Sequence, residues 1–156
     1  MTELARVAAM IAVLGAAVVY GTDVFCAIAQ RPALAHVDDP ALVAVMGNVH
    51  RYADRRMPVP GAVGMIAALA SAAIAAAAGR WTAAVMAAAA LALLLVWMVL
   101  YLRVSAPINR QLTAAALASD VPANIRVLQA NWDRVINARA VLQGLAICAL
   151  CGALIG

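Results

Sequence analysis

Four long neutral runs, separated by stretches that hold nearly all of the arginines, leave this chain few ways to fold other than across a lipid bilayer. About 20 apolar residues, each rising ~1.5 Å along a helix, cross the ~30 Å hydrocarbon layer. Four segments meet or approach that length: about Val7 to Ala29, Gly61 to Ala78, about Trp81 to Leu102, and Ala140 to Gly156, the last being the shortest. The expected fold class is all-α. It is a four-transmembrane-helix bundle with amphipathic helices in the two long loops, one integral membrane domain over residues 1–156.

Composition closes the soluble alternative. Hydrophobic residues make up 67% of the 156, against roughly 45–50% in soluble globular domains, and the mean hydropathy is +0.97. The net charge of +4 comes from arginine alone, with no lysine in the chain. Basic stripes with interleaved aromatics are missing and aromatics are only 4% of residues, so nucleic acid is not an expected partner. The expected partners are the bilayer and a hydrophobic small molecule; the sequence leaves the oligomeric state open.

The arginines instead speak to orientation, because positively charged loops resist translocation. Arg31, Arg51, Arg55 and Arg56 lie between spans one and two, and Arg103, Arg110, Arg126 and Arg134 between spans three and four, with Arg139 at the edge of span four. Only Arg6 and Arg80 lie on the other side. A multi-pass protein of the cell membrane is expected, with both long loops cytoplasmic and both termini outside. The first span has a rival reading: Val7 to Val19 has the form of a signal-peptide core, and Ala27-Ile28-Ala29 that of a cleavage site. A single Arg offset by a Glu before the run favours an uncleaved span.

Spans two and three are joined by little more than Gly79-Arg80, which predicts a tight antiparallel hairpin. Their alanine-rich surfaces allow the close backbone approach that holds helices together in lipid. In the first loop, Asp38-Asp39-Pro40 offers an N-cap and an early proline for a helix to about Arg56 that Pro58 and Pro60 end. In the last, Asp120-Val121-Pro122 starts a helical pattern that need not break before Gly156. A run of that length, ~50 Å, must project from the bilayer in its first half.

Several polar residues sit awkwardly in this pattern. Asp23 lies inside span one, where an ionisable group is disfavoured by roughly 2.5–3.5 kcal/mol and should face the interior beside a partner. It reads equally as a general base or metal ligand and as half of a structural ion pair. Arg139, at the head of span four, is the natural partner; helical spacing places Leu128, Trp132, Val135, Arg139 and Leu142 on one stripe. His50 follows Val43 and Met46 on a face that Asp54 continues one turn later. A carboxylate so placed can hold an imidazole's tautomer for proton transfer or metal binding, though exposed His-Asp pairs are common.

His36, near Asp38 and Asp39, fits a capping turn better than a cation site, and two histidines are too few for a multi-histidine metal centre. Neither a metal nor an organic cofactor is expected. Cys148 and Cys151 form C-x-x-C on span four and Cys26 follows Asp23 by one turn; without a redox-domain pattern they read as small packing residues. Trp81, Trp97 and Tyr101, at the ends of span three, read as interfacial anchors.

Short motifs in order along the chain carry a family resemblance. Gly21-Thr22-Asp23-Val24-Phe25, followed by Arg31-Pro32-Ala33-Leu34, resembles the opening motif of the anthrone-oxygenase-like family of small four-helix membrane proteins. Ser105-Ala106-Pro107-Ile108-Asn109-Arg110-Gln111-Leu112 is similar to that family's Pro-x-Asn segment, and Trp132 with Arg139 matches its Trp and Arg. Where many members carry a His between that Trp and Arg, this chain has Asp133-Arg134-Val135-Ile136-Asn137-Ala138. A required His would therefore come from His50 on another helix.

The resemblance implies oxidation of a flat, anthrone-type molecule to its quinone by O₂ without an organic cofactor. In that scheme Asp23, His50 and Arg139 are the catalytic residues, with Asp23 as base and Arg139 or Asn109 stabilising the enolate oxygen. Asn109, Trp132 and Asn137 are the substrate-binding residues, Trp132 as a stacking wall. The alternative is a non-catalytic bundle, an accessory subunit or a binder of lipid or a small molecule, in which Asp23 and Arg139 only lock the helices. Transport is disfavoured, because inverted repeats and broken spans are not evident.

Overall fold

A computed structural model describes residues 1–156, all of the chain, as helices without strands. Helix α1 (Thr2–Phe25) runs through one wide π turn, Cys26–Gln30, into the short α2 (Arg31–Leu34). Helix α3 (Asp39–Arg56) is followed after Met57 alone by α4 (Pro58–Ala77). Helix α5 (Trp81–Leu100) passes through a second π turn, Tyr101–Ser105, into α6 (Ala106–Ala118). Helix α7 (Ile125–Ile155) completes the chain. Four of the resulting rods are long and apolar enough to cross a membrane, 33, 39, 38 and 31 residues in length.

The sequence underestimated how far these rods continue. Helix α3 ends at Arg56 as expected, but Pro58 opens α4 after Met57 alone, where a missing N–H is harmless because the first turn has no intrahelical acceptor for it. The Pro-x-Asn segment is the first turn of α6. Helix α7 begins at Ile125, three residues after Pro122. Asp38 does cap α3, its Oδ1 accepting from the Ala41 N–H at 2.8 Å. Between α4 and α5, Gly79 takes φ +71°, a left-handed conformation that glycine adopts at little cost.

Helix α1 packs on α4 and α7, and α5 packs on the same two. Neighbours run antiparallel: Ser71 Oγ donates to the Ala5 carbonyl at 3.0 Å, while Gly64 lies beside Gly15 farther along both helices. This is an up-down-up-down four-helix bundle. Buried positions step by four and three, as in Ala5, Ala9, Ala12, Ala16, Val19 and Asp23 of α1 and Trp132, Ile136, Arg139, Gln143, Ala146 and Leu150 of α7. A mean step of ~3.5 residues is the signature of left-handed, knobs-into-holes packing.

The interior is built largely of alanine. Ala12, Ala16, Ala68, Ala90 and Ala146 pack with Leu94 and Leu150 in mid-bundle, and Ala5, Ala75, Ala83, Ala87 and Ala153 fill the end beyond. Larger apolar side chains point outward, among them Leu4, Leu14, Ile66, Leu69, Val85 and Leu145. Lipid solvates a leucine as well as another leucine does, so bulk gains nothing by facing inward, whereas small interior residues let helices approach. Helices α1 and α4 approach closely at Gly15, where a Cβ would lie 2.7 Å from the Pro60 carbonyl and 2.8 Å from the Gly64 nitrogen.

At the opposite end the two long connections form a core of another kind. Leu42, Val43 and Met46 of α3 meet Ile108 and Leu112 of α6 and Ile125, Trp132 and Ile136 of α7. Bulky aliphatic residues are gathered inside here, as in a soluble domain, where burying one is worth about 1.5–3 kcal/mol. Arg126 fastens this layer, donating from Nε to Asp39 Oδ1 at 2.6 Å and from Nη1 to the Leu34 carbonyl at 3.0 Å. The layer caps one end of the bundle and closes over the polar residues beneath it.

Candidate functional site

Asp23 is buried, with 2% of its surface exposed. Arg139 Nη2 donates to its Oδ1 at 2.7 Å. Its Oδ2 accepts from the Gln143 amide at 2.6 Å and from the Trp97 indole at 3.2 Å. Three donors from two helices, Arg139 and Gln143 of α7 and Trp97 of α5, thus leave the carboxylate little lone-pair capacity. Arg139 is equally enclosed. Its Nη1 donates to Ser105 Oγ at 2.8 Å, its Nε is buried without an acceptor, and its Cζ lies 5.6–5.8 Å from the ring centroids of Trp97, Tyr101 and Trp132. An aromatic surround of this kind attracts a cation electrostatically and excludes water.

A second network adjoins the first. Trp132 Nε1 donates to Asn109 Oδ1 at 2.9 Å, and Asn109 Nδ2 donates to Asp54 Oδ1 at 2.9 Å. The Tyr101 hydroxyl donates to that same oxygen at 3.0 Å. His50 is buried, its ring centroid 5.6 Å from that of Trp132, and its Nε2 has no hydrogen-bond partner. The expected pairing of His50 with Asp54 is therefore replaced. Asp54 is turned to Tyr101 and Asn109, which satisfy it from the rod that α5 and α6 share.

The two π turns align these groups. In each, the N–H just before a proline reaches back five residues: Arg31 to the Cys26 carbonyl, and Ala106 to the Tyr101 carbonyl. Pro32 and Pro107 follow immediately. A proline ring clashes with the carbonyl four residues earlier in an α-helix, and a widened turn makes room for it. Trp97, Tyr101, Ser105 and Asn109 are spaced by four residues. In an uninterrupted α-helix, at 3.6 residues per turn, that spacing would drift by about 120° over three steps; the extra residue in the π turn largely cancels the drift. All four consequently hydrogen-bond into the same networks.

Between the networks lies a cavity of about 330 Å³, within the usual size of a small-molecule site. Asp23, His50, Asp54, Asn109 and Arg139 line it together with Trp97, Tyr101 and Trp132. Leu102 and Val49 also line it and are exposed on the molecular surface, which puts part of its rim between α3 and the end of α5. Most of the remaining wall is apolar. No three His, Cys, Asp or Glu side chains are grouped as a metal site would need.

Of the residues singled out in the sequence, Asp23, His50, Asn109, Trp132 and Arg139 all border this one cavity. Asn137 does not; it is exposed on the far side of α7. The α7 stripe is also displaced, with Gln129, Ile136 and Gln143 buried where Leu128, Val135 and Leu142 were expected. Trp97 and Tyr101 are not interfacial anchors, since each donates to a buried or half-buried carboxylate, whereas Trp81 is 67% exposed. Gln143 and Ser105, to which no motif assigns a role, complete the ionic centre. The signal for Gln143 was available: a lone amide within the fourth apolar run has to face the interior. Cys26 borders the cavity, while Cys148 and Cys151 are exposed and unbonded. No family model, curated protein or solved structure matches this chain.

Proposed function

We propose that the cavity takes up a flat, apolar molecule carrying a carbonyl or phenol oxygen and oxidises it with O₂, as the resemblance to anthrone oxygenases suggests. The observation that carries this reading is the unpartnered Nε2 of buried His50 beside a desolvated Asp23–Arg139 pair on one aromatic-walled cavity. Both oxygens of Asp23 already accept hydrogen bonds, so the base in this proposal is His50, and Asp23 holds Arg139 in place.

His50 removes a proton from the ring methylene opposite the carbonyl, and Arg139 stabilises the enolate oxygen. The delocalised anion gives one electron to O₂, and the resulting radical and superoxide combine to a peroxide at that carbon. Loss of the second C–H proton with cleavage of the O–O bond leaves a carbonyl and releases water. One O₂ is consumed, its atoms divided between quinone and water. Trp132 stacks on the substrate, and Asn109, bonded at both ends, holds Trp132.

The saturation of Asp23 also favours a second reading, in which the ion pair only locks the bundle and the cavity binds a small molecule or lipid without turnover. Incubating purified protein with an anthrone under O₂ and following quinone absorbance separates the two. The first reading expects turnover that falls by about 10²–10⁴ in His50→Gln with folding retained. Binding without quinone above background would leave the second. The arginine distribution supports an orientation in which α3, α6 and the first half of α7 lie on the cytoplasmic side of the cell membrane and both termini outside.

A further inference from the structure

Behind the cavity, on the other face of the second π turn, α6 and α7 enclose a separate groove of about 310 Å³. Its polar wall is Arg103, Asn131 and Arg134; Val104, Pro107 and Val135 supply apolar floor. The chain's ion pairs are those of Arg6, Arg31, Arg126 and Arg139, so neither groove arginine is neutralised by a carboxylate. Arg134 Nη2 donates to Asn131 Oδ1 at 2.6 Å. That bond fixes the guanidinium and leaves the Asn131 amide N–H groups free to donate.

The groove lies where the apolar run of α5 gives way to Arg103 and some five residues before Arg139 begins the apolar part of α7. That is the depth of lipid headgroups. One turn deeper on α5, Val99 and then Leu95 are exposed, and along α7 so are Val141 and Leu145. Residues four apart share a helix face, and α5 packs against α7, so an apolar lane leads from the arginines into the hydrocarbon.

We propose that this groove is a binding site for one anionic phospholipid, its phosphate held between Arg103 and Arg134 with Asn131 as a further donor, and an acyl chain lying along the α5–α7 lane. Two guanidinium forks match phosphate oxygens in geometry as well as charge, and basic recesses between spanning helices on the cytoplasmic side are suited to anionic headgroups. The proposal is independent of any chemistry in the aromatic cavity.

The test uses the full chain in detergent micelles, titrated with dioleoylphosphatidylglycerol or dioleoylphosphatidylcholine and read by native mass spectrometry. The expected result is one phosphatidylglycerol bound about tenfold more tightly than phosphatidylcholine. Arg103→Gln and Arg134→Gln should each weaken it about fivefold, while Arg110→Gln, an exposed arginine outside the groove, should leave it unchanged. Absence of headgroup preference in the wild type overturns the site without recourse to any variant. So does an equal loss in Arg110→Gln, which would mean unspecific charge, or displacement of the lipid by millimolar inorganic phosphate, which would mean a free-anion site.

Discussion

Trp97 donates its indole N–H to Asp23 across 74 positions of sequence, at 3.2 Å, and by doing so turns an aromatic at the end of an apolar run into part of a buried ionic centre. Benzothienylalanine at position 97 keeps the bicyclic ring and removes only the N–H donor. A hydrogen bond to a charged group is worth about 1.5–3 kcal/mol, so unfolding in micelles should shift by that amount. No shift would mean that Arg139 and Gln143 satisfy the carboxylate unaided.

Asp23 and Arg139 should prove strongly coupled. Breaking a buried pair by removing one partner costs about 3–5 kcal/mol, because the other charge is stranded, whereas replacing both with apolar residues is often near neutral. Asp23→Leu and Arg139→Met should each destabilise the bundle by that order, and the double variant by less than either. Additive losses in a double-mutant cycle would show that the two charges do not meet in the membrane.

Gly15 sets the spacing of α1 and α4. A side chain there meets backbone rather than a flexible neighbour, with the Pro60 carbonyl at 2.7 Å from an added Cβ, so the helices must part. Gly15→Ala is expected to cost about 1–3 kcal/mol and Gly15→Val more. Gly21, with nothing within 4 Å of an added Cβ, is the control, and Gly21→Ala should be tolerated. Equal effects at the two positions would remove the close-approach argument.

Pro107 causes the second π turn, and Pro107→Ala allows ordinary α-helical bonding to resume. The helix should be as stable or more so, yet the faces of Trp97 and Asn109 would move out of register by up to one residue. Quenching of tryptophan fluorescence by a cavity ligand such as an anthrone should weaken at least about tenfold, and the thermal midpoint should fall with the buried hydrogen bonds of Trp97 and Asn109. Unchanged ligand affinity would place the origin of the π turn elsewhere.

Orientation is open to a direct check. With Cys26, Cys148 and Cys151 replaced by alanine, a cysteine introduced at Ser119, the exposed end of α6, should react with a membrane-impermeant maleimide only after the cells are opened. One at Thr82, near the α4–α5 hairpin, should react in intact cells. The reverse pattern would invert the assignment drawn from the arginines.

Hydropathy alone revealed the four rods, because crossing hydrocarbon is a requirement met locally, residue by residue along the chain. It also exposed Asp23 and Arg139, since a charge within or beside an apolar run needs an answering group somewhere. The sequence could not say which groups would answer. Gln143 and Trp97 share one carboxylate oxygen from different helices, and Asp54 ignores the His50 one turn away for Tyr101 and Asn109, 47 and 55 positions distant.

Local spacing misled for a definable reason. The α7 stripe had the right repeat, with Trp132 and Arg139 in place, but the positions between and beside them fall one residue later, at Gln129, Ile136 and Gln143, because alternating steps of four and three leave open which comes first. On the rod from Trp97 to Asn109 the face is set by a π turn that no hydrophobic pattern announces. Span number and the need for a buried polar centre were thus properties of the sequence. The membership of that centre, and the cavity beside it, were decided only when helix register and crossing were fixed, because a hydrogen bond is specified by distances of a few tenths of an ångström that no one-dimensional spacing contains.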